Sequence, residues 1–138
     1  MEPTPSTNQG IDSASSSALS ALIVDDQREL AELLAERLSV EGIECTVVTT
    51  AADGLRECSS KSFDVAFVDL KLPDMSGVAI AAELKGMLTD LKVILMSGFA
   101  ASLDDVDVGA SHLDGVLPKP WRPTELEAIL RNIGRQRS

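Results

Sequence analysis

Five short, continuously apolar runs recur along the chain with amphipathic stretches between them, and this alternation limits the possible folds most severely. The runs are Ala21-Leu22-Ile23-Val24, Thr46-Val47-Val48, Val65-Ala66-Phe67-Val68, Val93-Ile94-Leu95-Met96 and Val116-Leu117. A strand that is apolar at every position, and not at every second one, suits a sheet covered on both faces. Leu30, Leu33, Leu34 and Leu38 then recur at helical spacing and are closed by Gly42, a residue that favours the position just past a helix. Leu126, Ile129, Leu130 and Ile133 repeat the spacing behind Pro123, placed as a first helical residue. Thr50, with Asp53 three residues on, resembles a capping box, and another helix is expected to start near Ser76 with Val78, Ala81, Ala82 and Leu84. Ser102 to Val108 holds Asp104, Asp105 and Asp107, poor helix formers, and predicts a short or irregular helix. Strand then helix, five times over, predicts an α/β fold, a doubly wound parallel sheet of five strands with helices on both faces and right-handed crossovers.

A chain of 138 residues suits one domain, with no room for a second folded one. Residues 1 to 18 are rich in Ser, Thr and Pro and nearly devoid of apolar side chains, so they are expected to be a disordered tail ahead of a domain spanning 19–137. The formal net charge of -10 repels phosphate backbones, which argues against direct nucleic-acid binding. No apolar run approaches the roughly 18 residues of a membrane span. Two cysteines, Cys45 and Cys58, are too few for a disulfide framework or a zinc site, and with no signal segment a cytoplasmic location is expected. The single histidine, His112, excludes a multi-histidine metal site and reads as a solvated loop residue.

In open parallel sheets ligands bind beyond the carboxyl ends of the strands, so the residues just after each apolar run carry the functional information. Asp25-Asp26 follow the first run, Asp69 the third, Ser97 the fourth and Lys119-Pro120 the fifth. Each piece alone is ordinary, since an Asp pair after a strand is often a turn or a cap and Lys-Pro is a common loop dipeptide. Their coincidence on four strand ends is not. If the first and third strands are neighbours, the three carboxylates crowd together and require a cation, for which Mg2+ is the natural occupant. A phosphoryl group held there is placed for attack by Asp69, with Lys119 and the Ser97 hydroxyl contacting its oxygens.

These residues carry a family resemblance. Asp25-Asp26, the run from Val65 through Asp69-Leu70-Lys71-Leu72-Pro73-Asp74-Met75-Ser76-Gly77, the Met96-Ser97-Gly98 step and Lys119-Pro120 are together similar to the receiver domains of bacterial two-component response regulators, over residues 19 to 134. The resemblance implies a flavodoxin-like sheet in the order 2-1-3-4-5. It also implies that Asp69 accepts phosphate from a histidine kinase or a histidine phosphotransfer protein. Asp26 would then bind Mg2+ directly and Asp25 largely through water, with Asp69 and the Lys71 backbone carbonyl completing the protein ligands. Ser97 becomes the switch hydroxyl, Lys119 the phosphate contact with a cis bond before Pro120, and Gly77 the small residue after the helix start.

The same resemblance places an aromatic three residues before the lysine, where this chain has Val116, and the chain contains no Tyr. Signalling is therefore expected to run through backbone shifts after Ser97, in residues 98 to 110. Lys71 and Phe99 flank the path of attacking water and are expected to set the phosphate lifetime. Trp121 is expected to pack over the end of the fifth strand, and Glu29, Glu32 and Glu36 to form a solvated helix face. The function so read is a phosphoacceptor that signals to an unknown downstream protein or acts as a phosphate relay or sink, and is not a turnover enzyme. The alternatives are a phosphorylation-independent interaction module, a receiver fragment of a hybrid histidine kinase, and a phosphohydrolase with an aspartyl intermediate. That last class expects an acid where Lys71 stands.

Overall fold

The structure is a computed structural model that describes residues 19–98 and 113–137. Residues 1 to 18, Phe99, the acidic stretch 102 to 108 and His112 lie outside the described residues. Each apolar run becomes a strand: β1 Leu19–Val24, β2 Ile43–Val48, β3 Val65–Asp69, β4 Lys92–Ser97 and β5 Gly115–Pro118. Between and after them come α1 Arg28–Val40, α2 Ala51–Ser60, α3 Gly77–Met87 and α4 Pro123–Arg137. All neighbouring strands run parallel, in the order β2-β1-β3-β4-β5.

Alternation along the central strands divides the apolar side chains between two faces. Ala21, Ile23, Val65, Phe67, Ile94 and Met96 point to the side covered by Leu34 and Leu38 of α1 and Leu126 and Ile133 of α4. Leu22, Val24, Ala66, Val68 and Val93 point to the side covered by Ala51 and Cys58 of α2 and Ile80, Ala81 and Leu84 of α3. Because β1, β3 and β4 are buried on both sides, one residue in two serves each layer, and that is why their sequences are apolar throughout.

Local signals set the helix ends. Gly42 has φ of 84°, a left-handed conformation that only glycine adopts without strain, and its N–H donates to the Ser39 carbonyl as α1 ends. Thr50 Oγ1 accepts from Asp53 N at 3.1 Å and Ser76 Oγ from Ala79 N at 3.1 Å. The Asp53 carboxylate pairs with Arg56 one turn on. The start of α2 has a second cap from outside the helix: Asp74 accepts from Ala51 N at 3.0 Å and from Ala52 N at 3.1 Å. These bonds, that of Ala51 foremost, hold the Asp74 carboxyl below the usual carboxylate range.

Two expectations need correction. Leu30 and Leu33 share the helical spacing of Leu34 and Leu38, yet they are 43% and 55% exposed. Ala31, Leu34 and Leu38 face the sheet, whereas Leu30 and Leu33 lie on the flank of that helix face and line a cavity with Trp121. The second concerns Thr46-Val47-Val48 and Val116-Leu117. Thr46, Val47 and Val116 are only half-buried because β2 and β5 are the edge strands, each with one neighbour.

Candidate functional site

Parallel register brings the reading of the strand ends into one place. Val24 lies opposite Val68 and Asp69 opposite Met96, so Asp25 and Asp69 emerge side by side from the two central strands. Ser97 lies opposite Pro118, and the Lys119 N–H donates to the Ser97 carbonyl at 2.7 Å, which delivers Lys119 to the same rim. The Lys119-Pro120 bond is cis.

The loop after β3 is tied down on both sides. Leu70 N donates to the Met96 carbonyl at 2.7 Å, Gly77 N to the Leu70 carbonyl at 2.8 Å, and Lys71 bridges to Ser76. Gly77 permits this closure: a Cβ there would lie 2.4 Å from the Asp69 carbonyl oxygen and 2.9 Å from Leu70 Cα. Any larger residue would push α3 away from the backbone that carries Asp69.

Asp25, Asp26 and Asp69 each offer a carboxylate oxygen, and these oxygens all lie within 4.8 Å of one another. Asp25 and Asp69 are buried, and Asp26 is exposed. Lys119 Nζ lies 2.9 Å from Asp25 Oδ2 and 3.5 Å from Asp69 Oδ2. It also donates to Gln27 Oε1 at 3.1 Å. A cavity of about 440 Å³ opens over the group, lined by Asp26, Gln27, Asp69, Lys71, Ser97 and Lys119.

At an effective dielectric of about 20, the buried charges of Asp25 and Asp69 repel by about 3 kcal/mol at this spacing, and the exposed Asp26 adds a weaker, solvent-screened repulsion. One ammonium offsets only part of that. Burial raises the Asp69 carboxyl from 3.8 to about 6, with the charge of Asp25 adding to the rise and the Lys119 ammonium opposing it. Carboxylates elsewhere on the sheet are placed differently. At the opposite ends of the strands, Asp64 Oδ2 accepts from Ser20 N at 2.8 Å, and Asp114 Oδ2 accepts from Val93 N at 2.8 Å while pairing with Lys85 at 2.7 Å. Asp25, Asp26 and Asp69 instead turn carboxylate oxygens toward one another beside an open cavity, a hard all-oxygen donor set with room for retained waters and an anion. Such a set fits Mg2+.

Of the residues singled out from the sequence for this rim, Asp26, Asp69, Lys71, Ser97 and Lys119 line the cavity, and buried Asp25 joins them through the carboxylate cluster and Lys119. Gln27 was not singled out and contacts Lys119 directly. Trp121, expected over the end of the fifth strand, packs against the α1 and α4 side of the core and walls an apolar cavity of about 210 Å³ with Leu30, Leu33 and Met96. Asp25 and Lys119 line that cavity too, which puts the indole next to the charged cluster.

Comparison with known proteins gives concordant findings. A family model described as a response regulator receiver domain matches residues 21–131. The transcriptional regulatory protein KdpE of Mycobacterium tuberculosis is 34% identical over 110 residues, covering 80% of this chain and 48% of that protein. The sensory transduction protein RegX3 of Mycolicibacterium smegmatis is 34% identical over 120 residues, covering 85% of this chain and 51% of that protein. The chain thus spans about half the length of the curated relatives it matches. Among solved structures, a CheY-like receiver domain from Methylobacillus flagellatus superposes with a TM-score of 0.77 at 34% identity, covering 84% of this chain and 98% of that one. The response regulator TrrA of Thermotoga maritima, solved with Mg2+ and BeF, gives 0.75 at 26% identity, over 83% of this chain and 98% of that one.

Proposed function

The chain belongs to the family of response regulator receiver domains, and we propose that Asp69 is its phosphoacceptor, with Asp25, Asp26, Asp69 and the Lys71 backbone carbonyl holding Mg2+. One observation carries the assignment: three carboxylates gathered within 4.8 Å, with one ammonium beside them and an open cavity above. Bound there, Mg2+ neutralises charge on the carboxylates and on phosphoryl oxygens.

The chain's own residues then divide the work. Asp69 is ionised above about pH 6, so at neutral pH an oxygen lone pair is available. That oxygen attacks the phosphorus of a phosphohistidine. The O–P bond forms as the P–N bond breaks, and the electron pair returns to the imidazole nitrogen. Lys119 moves its charge onto one phosphoryl oxygen, and the Ser97 hydroxyl donates to another. Water later attacks the same phosphorus, the acyl O–P bond breaks towards the carboxylate, and inorganic phosphate leaves. The donor is a histidine kinase or a histidine phosphotransfer protein in the cytoplasm, and the output is a protein partner or a further phosphotransfer step. In this reading residues 1–18 are a tail on a receiver spanning 19–137.

Trp121 supplies the test. Fluorescence is titrated with Mg2+ and then with beryllofluoride, in the parent and in Asp69→Asn. A saturable beryllofluoride response in the parent alone supports the assignment. The same response in both proteins contradicts it, and so does an interaction partner bound equally by both.

A further inference from the structure

Lys119 has a partner that the carboxylate cluster does not require. Its Nζ donates to Asp25 Oδ2 at 2.9 Å and to Gln27 Oε1 at 3.1 Å, while Asp69 Oδ2, at 3.5 Å, is beyond good hydrogen-bond range. Gln27 occupies the N-cap position of α1, where a side-chain oxygen ordinarily accepts from the N–H groups of the first turn. Its side chain makes no capping bond. Ser, Thr, Asp or Asn would turn back onto the helix. The longer glutamine instead reaches across the cavity mouth to the lysine. Its backbone N–H meanwhile donates to Asp25 Oδ1 at 2.9 Å, so one residue grips both members of the Asp25-Lys119 pair.

We propose that Gln27 is a positioning residue that holds Lys119 toward Asp25 in the resting protein, and that an incoming phosphoryl oxygen must take the lysine from it. The inference rests on the reading of Asp69 as phosphoacceptor. It makes the Gln27 amide a competitor of the anion, so Gln27 tunes how readily the site accepts a phosphoryl group without itself binding the metal.

The test measures Mg2+ affinity and, separately, beryllofluoride affinity at saturating Mg2+, in the full chain, by Trp121 fluorescence. Gln27→Met keeps length and removes the acceptor. Gln27→Ser removes the acceptor and restores a capping side chain, so the two variants shift the start of α1 in opposite senses. Loss of a solvent-exposed hydrogen bond predicts beryllofluoride binding about three- to tenfold tighter in both variants, with Mg2+ affinity unchanged. Beryllofluoride affinity that stays the same or weakens overturns the proposal. Tightening in Gln27→Met alone, or a parallel change in Mg2+ affinity, also overturns it, because the effect then comes from the helix end or the metal site. If the parent and Asp69→Asn bind beryllofluoride alike, the phosphoacceptor reading itself falls and takes this one with it.

Discussion

Replacing Asp69 by Asn should stabilise the metal-free protein at neutral pH, although it removes the side chain at the centre of the site. Burial and the neighbouring Asp25 raise the Asp69 carboxyl from 3.8 to about 6. Between pH 3.8 and about 6 the folded state therefore holds a proton that the unfolded state releases, and above that range the folded state carries the cost of the ionised, buried carboxylate. At about 1.4 kcal/mol per pK unit, that shift corresponds to roughly 3 kcal/mol, which solvent at the cavity mouth reduces to about 1 to 2 kcal/mol. The sign follows from linkage: stability contributed by a carboxyl with a raised folded-state value is complete below pH 3.8 and is lost as pH rises to about 6. Urea unfolding in EDTA, followed by Trp121 fluorescence, measures this directly. Asp69→Asn should exceed the parent by about 1 to 2 kcal/mol at pH 7.5, with the gap closing between pH 6 and pH 4. Saturating Mg2+ should narrow it again, because the metal stabilises the folded state of whichever protein binds it more tightly. An Asn variant less stable than the parent at pH 7.5, or a gap independent of pH, refutes the reasoning.

Gly77→Ala should destabilise by about 1 to 3 kcal/mol in thermal unfolding, because the new Cβ meets the Asp69 carbonyl and Leu70 Cα, neither of which has room to yield. Asp74→Ala should lower the melting temperature and accelerate amide exchange at Ala51 and Ala52, whose N–H groups lose their acceptor, while leaving exchange in α3 unchanged. Leu34→Ala should cost about 2 to 5 kcal/mol and Leu33→Ala less than about 0.5 kcal/mol in denaturant unfolding, since one is buried and the other 55% exposed despite adjacent positions on α1.

The sheet and the carboxylate cluster were legible in the sequence because they rest on the same signal. A run such as Val65 to Val68 is apolar at every position only when both faces are covered, and the residue that follows it must leave the sheet at the ligand-binding edge. Asp25, Asp69, Ser97 and Lys119 could therefore be placed on one rim of the sheet, while the strand order that makes Asp25 and Asp69 neighbours came from the family resemblance. Features that depend on distance across the fold were hidden. Helical periodicity groups Leu30 and Leu33 with Leu34 and Leu38, but it does not reveal that the face toward the sheet is centred on Ala31, Leu34 and Leu38, which turns Leu30 and Leu33 to its flank. Asp74 reads as a local turn residue, and its two backbone bonds go to a helix more than twenty residues earlier in the chain. Gln27 carries no signal of its own, since a glutamine beside an Asp pair is an unremarkable polar residue until its amide is seen against Lys119.

The most direct measurement is mass-spectrometric mapping after incubation with a small acyl phosphate and Mg2+. One phosphoryl group per chain is expected, located on the peptide containing Asp69, absent when EDTA replaces Mg2+ and absent in Asp69→Asn. Modification at another residue, or equal labelling of the Asn variant, would contradict it.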